Sequence, residues 1–462
     1  MARIWYSFSQ MNLKMTHITK LTSLFFLLIG LQLHAQQRWS LDDCVAYALE
    51  HNLQLNDFNY NWQSNKETYR QSVRNLLPSV AAQTNYVINF GRSTDPFTND
   101  VVTTDFFSNS YSLESSVDLF RGFQKINTIK ASKFLYKAAK EESLQQKYLL
   151  AFRVMQAFYD IQFFEGLVAI SKEQLTVSQK NYELVDKQIE LGLKAGADLY
   201  EAESLLLTDQ LNVTQSENQL AAAKLALIQE MNLEATTDIT LQVSIDQKDA
   251  GGGDTLIRSD SIYSAAKDFM PIVKAQELRA RAAKKQVAAS RGDLYPSLTL
   301  FGGVGTGYFE TTRDSVGATI PFRNQFKDNT YQFVGVSLSI PITNAWASRS
   351  RVKQQKIAQM RAQNNLDIQK QELFNTIEQL VQQYNALLIE YEQSTQKVQA
   401  QNLAFTIAQK RYERGLINAL ELFTAKNLFA NAQNENLQVR LRSEINKSTL
   451  DFYRGLPVFN IN

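Results

Sequence analysis

Two stretches of this 462-residue chain repeat one another at a fixed distance, so any fold assigned to it has to be built twice. Residues 187 to 202 read KQIELGLKAGADLYEA and residues 410 to 425 read KRYERGLINALELFTA. At an offset of 223, Lys187, Glu190, Gly192, Leu193, Leu199 and Ala202 recur as Lys410, Glu413, Gly415, Leu416, Leu422 and Ala425. Asp198 and Tyr200 recur conservatively as Glu421 and Phe423. Upstream, LLPS at 76 to 79 answers LYPS at 294 to 297 at an offset of 218, and Val117 answers Ile340 at 223, the five-residue change falling inside the intervening hairpins where loops tolerate insertion. The order helix, LxPS, hairpin, long helix, glycine turn, helix therefore occurs twice.

Proline and glycine mark where those elements run. No proline falls between Pro96 and Pro271, and residues 342 to 414 contain neither proline nor glycine. Such stretches favour long uninterrupted helices. In the second of them Leu373, Ile377, Leu380, Tyr384, Leu387 and Tyr391 recur in steps of four and three, with Phe374, Val381 and Leu388 widening the stripe. This is coiled-coil spacing with a broad seam. Helices from about 343 to 414 and from about 123 to 191 would each reach on the order of 100 Å at 1.5 Å per residue, longer than a compact domain.

Each LxPS ends a helical region, because proline disfavours helix in the residue before it, and opens a strand. Leu298, Leu300, Val304 and Tyr308 alternate with Thr299, Gly303, Gly305 and Gly307, and Val334, Val336, Leu338 and Ile340 with Phe333, Gly335, Ser337 and Ser339. In the first repeat Tyr111, Leu113, Val117 and Leu119 alternate with Ser112, Glu114, Ser116 and Asp118. One face of each strand can meet lipid while the other meets water. Phe90, Phe106, Phe107, Phe309, Phe326 and Tyr331 lie near the strand ends, where aromatic girdles occur. A soluble four-stranded sheet packed on helices is the plainer alternative. In lipid, however, the two open edges of a four-stranded sheet each cost several kcal/mol per unpaired group, so several copies must close one barrel. Two, three or four subunits would satisfy the backbone, and the residues alone do not choose among them.

The amino terminus and the composition bound the rest. The apolar run Leu21 to Leu33 follows Lys14 and Lys20 and precedes Ala35, which reads as a signal peptide over residues 1 to 35. It is short of the ~20 residues of a spanning helix. Its loss takes three of the 48 basic residues against 46 acids, leaving a net charge of about −1. No positive field draws nucleic acid. One cysteine, Cys44, and one histidine, His51, remain, too few for an intrachain disulfide or a Cys/His metal cluster. They could share a helix face, but a common metal would need two more ligands. Met155, Met231, Met270 and Met360 are scattered and read as packing residues rather than a copper path. No phosphate loop or nucleophile elbow is present, so no enzyme, cofactor or metal site is expected.

With its duplicated order, its two LxPS strand entries, and its LGL and RGL turns each followed by an acid six residues after the glycine, the chain resembles the TolC-like outer-membrane efflux proteins from about Trp39 to Gly455. That resemblance implies a mainly α chain with a β-barrel part, assembled as a homotrimer. A twelve-stranded transmembrane barrel would sit in outer-membrane lipid and continue into a periplasmic α-helical barrel. It also implies an exit duct that works with a periplasmic adaptor and an inner-membrane pump. A periplasmic adaptor or other coiled-coil scaffold is the alternative, but an adaptor usually offers one helical hairpin between halves of a lipoyl-like domain.

The expected layout follows. A first repeat covers 36–233, with a β-hairpin at about 79–120, a helical hairpin at about 123–233 and a tip turn at 192–198. An equatorial linker with Gly251, Gly252 and Gly253 covers 234–260. A second repeat covers 261–455, with a β-hairpin at about 297–341, a helical hairpin at about 343–454 and a tip turn at 415–421. Residues 456–462 form a tail. The resemblance places Gly192, Leu193, Gly415 and Leu416 at the periplasmic tip as adaptor contacts, although the glycines could simply reverse the chain. It also places Glu421 and Asp198 by a pore constriction, with Thr424 standing where the family has a second acid. Both acids fit a helix-start role equally well.

Overall fold

The computed structural model describes residues 38–94, 99–103, 105–233, 239–242 and 258–461. The expected signal peptide and the Gly251–Gly253 linker lie outside the described residues.

The described residues open on a short parallel strand pair. β1 (Arg38–Trp39) pairs in parallel with β6 (Thr240–Leu241), and α1 (Leu41–His51) follows. A capping box starts α1: Asp43 N donates to Ser40 Oγ and Ser40 N donates to the Asp43 carboxylate. The Asn52 side chain both caps α2 (Leu53–Arg74), accepting from Leu55 N at 3.1 Å, and donates to the Glu230 carbonyl at 3.0 Å. Cys44, Val45, Leu150, Val154, Met155, Leu227 and Met231 form one buried cluster here. A second cluster holds Met270, Val273, Ile377, Tyr384 and Leu450. Three of the four methionines thus pack in cores, whereas Met360, expected to pack, is exposed on the single chain.

Two helices dominate. α3 (Gln124–Glu190) and α8 (Ala347–Glu413) each run 67 residues, about 100 Å. α4 (Gly196–Met231) returns along α3, and α9 (Ala419–Tyr453) returns along α8. α2 takes a place beside α3, while α5 (Ser259–Phe269) packs on α8 and α6 (Pro271–Arg291) lies between α3 and α8. α8 begins four residues later than expected. Ala345 and Trp346 have φ of 53° and 65°, a left-handed pair that turns the chain before a helix can start. Gly122 and Phe123 do the same before α3, at φ of 53° and 59°.

The other end is a meander of four antiparallel strands in the order β2 (Ser79–Asn89), β5 (Phe106–Arg121), β7 (Ser297–Phe309) and β8 (Tyr331–Ser339). Short strands β3 (Ser93–Thr94) and β4 (Val101–Val102) extend the first hairpin, and α7 (Phe322–Asp328) lies in the loop between β7 and β8. Opposed pairs fix the faces. Ala82, Leu113, Val304 and Gln332 lie in one row, and Val117, Leu300 and Val336 in another, so the apolar sets share one face. Ser79, Ser116 and Phe301 share the other face with Gly335, Ser337 and Ser339. Leu119, expected beside Val117, instead falls where the register shifts between Asp118 and Phe120. On the polar face Phe301 and Tyr331 lie flat over Gly335 and Gly305; a Cβ there would come 2.7 Å and 2.5 Å from those rings.

The corner between sheet and helix is held tightly. A Cβ at Gly122 would meet the Gly292 carbonyl oxygen at 2.5 Å, so the end of α6 seats directly on the turn before α3. Asp293 accepts from Gln124 Nε2 at 2.8 Å and from Arg351 at 2.5 Å, joining the starts of both long helices.

Candidate channel tip and docking surface

The two glycine turns have the same construction. Gly192 and Gly415 adopt φ of 74° and 72°. Gly192 N donates to the Ile189 carbonyl and Leu193 N to that of Gln188, both at 2.8 Å; Gly415 N and Leu416 N donate to Tyr412 and Arg411 at 2.8 and 2.9 Å. These are Schellman ends, which satisfy the last carbonyls of α3 and α8 and leave the following leucine outside the helix. Leu193 is 72% exposed and Leu416 63%. Leu191 and Leu420 add exposed apolar surface beside them, which the repeat comparison misses because Arg414 and Ala197 occupy the matching positions.

The two expected acids differ in their surroundings. Asp198 is half-buried and accepts from Ala195 N at 3.2 Å, capping its own helix. In α9 that service comes from Asn418, whose Oδ1 accepts from Glu421 N at 2.9 Å. The exposed Glu421 carboxylate has no hydrogen-bond partner among the described residues. Thr424, also exposed, donates its hydroxyl to the Leu420 carbonyl at 2.8 Å.

Polar contacts tie the first hairpin to the second, among them Gln433 Nε2 of α9 donating to the Glu173 carboxylate of α3 at 3.3 Å. Lys194, two residues past the first glycine, donates to Tyr412 Oη at 3.3 Å and lies 5.0 Å from its ring. Higher up, Lys426 of α9 is only 2% exposed and donates to Ser178 Oγ of α3 at 2.7 Å and to the Asp209 carboxylate of α4. Ser178 donates to the same carboxylate. Burial pulls the Lys426 ammonium below the ordinary lysine range, and Asp209 pulls it partly back.

Cys44 and His51 do not converge. The thiol is buried, and burial aided by the neighbouring Asp43 charge pushes its pKa up to about 12, so it is an inert core group. The His51 ring stacks on Tyr47 at 4.0 Å on the exposed side of α1. Among the described residues no three His, Cys, Asp or Glu side chains come together as a metal site, and no helix is long and apolar enough to cross a membrane. The candidate membrane surface is the apolar face of the sheet, where Val80, Val304, Val334, Val336 and Leu338 are all exposed.

Comparison with known proteins agrees with this geometry. The family described as outer membrane efflux protein matches residues 45–232 and again 262–456. Among curated relatives, the cation efflux system protein CusC of Escherichia coli O157:H7 is 22% identical over 427 residues, 88% of this chain and 84% of the relative. A solved CusC structure superposes with a TM-score of 0.75 at 18% identity, covering 90% of this chain and 92% of that one. The open state of the MtrE outer membrane channel of Neisseria gonorrhoeae gives 0.73 at 19% identity, covering 91% and 89%. Matched in both halves and sharing this fold, the chain belongs to the outer membrane efflux protein family and is an outer-membrane channel extending into the periplasm.

Proposed function

We propose that three copies close into a twelve-stranded barrel continued by a helical tunnel, forming the exit duct for an inner-membrane pump and a periplasmic adaptor. The observation that carries this is the sheet: β2 and β8 are open edges, and their directions allow antiparallel pairing between copies while the apolar face stays outward. The helical layer is open at α2 and α8 in the same way, and beside α8 the side chain of Ile342 is 94% exposed. Membrane fractionation with sizing of the detergent-extracted protein tests this. A trimer in the outer membrane is expected; monomeric soluble material would overturn the proposal.

The adaptor is read as docking on the tip leucines. Exchanging Leu193 and Leu416 together for Ser is expected to leave trimers intact and to remove adaptor crosslinking along with most transport. Retained transport in intact trimers would assign the glycine turns to chain reversal alone.

Glu421 is read as the pore acid and Asp198 as a cap, which separates two residues that sequence treats alike. Three Glu421 carboxylates around one axis would concentrate cations and oppose anions. CusC is named for cation efflux, and cations are accordingly the favoured permeants here. In planar bilayers Glu421→Gln is expected to lower cation selectivity. Asp198→Asn should leave selectivity unchanged, with a loss of no more than about 1 kcal/mol in helix stability. Equal selectivity in both variants would remove Glu421 from the pore.

A further inference from the structure

The loop after β7 folds α7 back onto the sheet, and its fastening is specific. β8 begins at Tyr331, opposite Gly305, so the edge of β7 from Thr306 to Phe309 has no strand beside it. Gln325, buried in the loop, takes that place: its Oε1 accepts from Phe309 N at 3.0 Å and its Nε2 donates to the Phe309 carbonyl at 2.9 Å. Asn329 Nδ2 donates to the Gly307 carbonyl at 2.8 Å, and Thr306 Oγ1 to that of Phe326 at 2.6 Å. A side-chain amide thus closes an edge that lipid would not tolerate open.

The helix leans on the apolar face. Phe326 lies 5.5 Å from Tyr111 and Phe322 5.5 Å from Tyr308; Tyr308 lies 5.1 Å from Phe107, which stacks on Tyr86 at 5.4 Å. Six rings form one chain across β2, β5, β7 and α7, an aromatic belt of the kind that marks a water–lipid boundary. Phe322 and Phe326 nevertheless keep exposed surface outward. Arg323 and Lys327, one turn apart and exposed, have no acidic partner among the described residues, and the helix carries a single acid, Asp328.

We propose that α7 is an interfacial helix lying against the outside of the barrel, with Phe322 and Phe326 among the acyl chains and Arg323 and Lys327 bound to phosphates of outer-leaflet lipid. This rests on the reading that the apolar face of the sheet meets the membrane. An apolar pair beside two unpartnered cations, next to an apolar wall, fits an anionic lipid rather than a second copy of the chain. The strand a second copy would bring to this edge, β2, contains no acid.

The test uses full-length protein in phosphatidylcholine vesicles with or without lipid A. Wild type should retain lipid A, and Arg323→Gln with Lys327→Gln should weaken retention by about 10- to 30-fold, from roughly 1 kcal/mol per basic residue. Conductance in pure phosphatidylcholine should stay unchanged. Equal retention by wild type and variant overturns the proposal, as does trimer dissociation in lipid-free detergent caused by Arg323→Glu with Lys327→Glu, which would assign the surface to a neighbouring subunit. Failure of the wild type to insert or conduct in pure phosphatidylcholine would instead remove the membrane reading beneath it.

Discussion

Asp209→Ala is expected to destabilise the periplasmic helices by about 3 to 5 kcal/mol, the usual cost of leaving one member of a buried ion pair without the other. Lys426 is 2% exposed, and among the described residues its ammonium donates to Asp209 and Ser178 and lies 5.0 Å from the Phe423 ring, so little solvent is at hand to replace the lost carboxylate. The ammonium then has one strong route to relief, which is to lose its proton. Burial already holds its pKa below the ordinary 10.5, and the variant removes the group that raised it. Between the lowered folded pKa and 10.5 the unfolded chain binds more protons than the folded one, so stability of the variant should rise with pH across that window and fall as pH drops through it. Wild type should show the same sign with a smaller slope. Thermal loss of the helical circular dichroism signal at two alkaline and one neutral pH measures this, and adding Lys426→Met to Asp209→Leu should recover most of the midpoint. An unchanged midpoint in Asp209→Ala would mean that water reaches Lys426.

Much of the architecture was legible because it depends on local rules. Long stretches without Pro or Gly allow helices whatever surrounds them, and alternation along β7 and β8 survives in the pairing of Leu300 with Val336. The glycine turns were legible because two Schellman ends need a left-handed residue at the same place in each repeat. The inter-hairpin contacts were not. Lys426 and Asp209 are 217 residues apart, and a lysine on a helix reads as a solvated face until tertiary packing encloses it. The sequence offers only that Asp209 matches the apolar Ala432 at the offset of 223; the structure shows both positions buried, where a carboxylate needs a partner. The aromatic ring chain was only partly legible. Of the six aromatic residues expected near the strand ends, Phe107 and Phe326 lie in it, Phe90 is exposed just past β2, and Phe106, Phe309 and Tyr331 point to the polar face, since a step of one residue reverses the side of a strand. Sequence proximity to a strand end says nothing about that parity.

Parity also sets the sharpest contrast between neighbouring positions in the barrel. Val336 lies opposite Leu300 on the apolar face, in the row that contains Val117, whereas the adjacent Ser337 lies opposite Thr299 on the polar face. In the proposed trimer each side chain occurs three times. Val336→Lys should therefore place three ammonium groups in hydrocarbon, each costing about 2 to 4 kcal/mol near the midplane and less toward either interface. Lysine can lessen the cost by reaching for the headgroups, but Leu338 and Ile340 continue the apolar face between Val336 and the sheet-to-helix corner. Ser337→Lys adds the same charge and length facing the lumen, where water solvates it, and should be nearly neutral for assembly. Heat-dependent gel mobility of outer-membrane fractions reads the difference directly: Val336→Lys should yield few heat-resistant trimers and Ser337→Lys a wild-type amount. Leu300→Lys, from the facing position on β7, should repeat the first result because the two side chains share one row. If Val336→Lys and Leu300→Lys both assemble like wild type while Ser337→Lys does not, the apolar face is turned inward and the proposed outward face must be exchanged for the polar one.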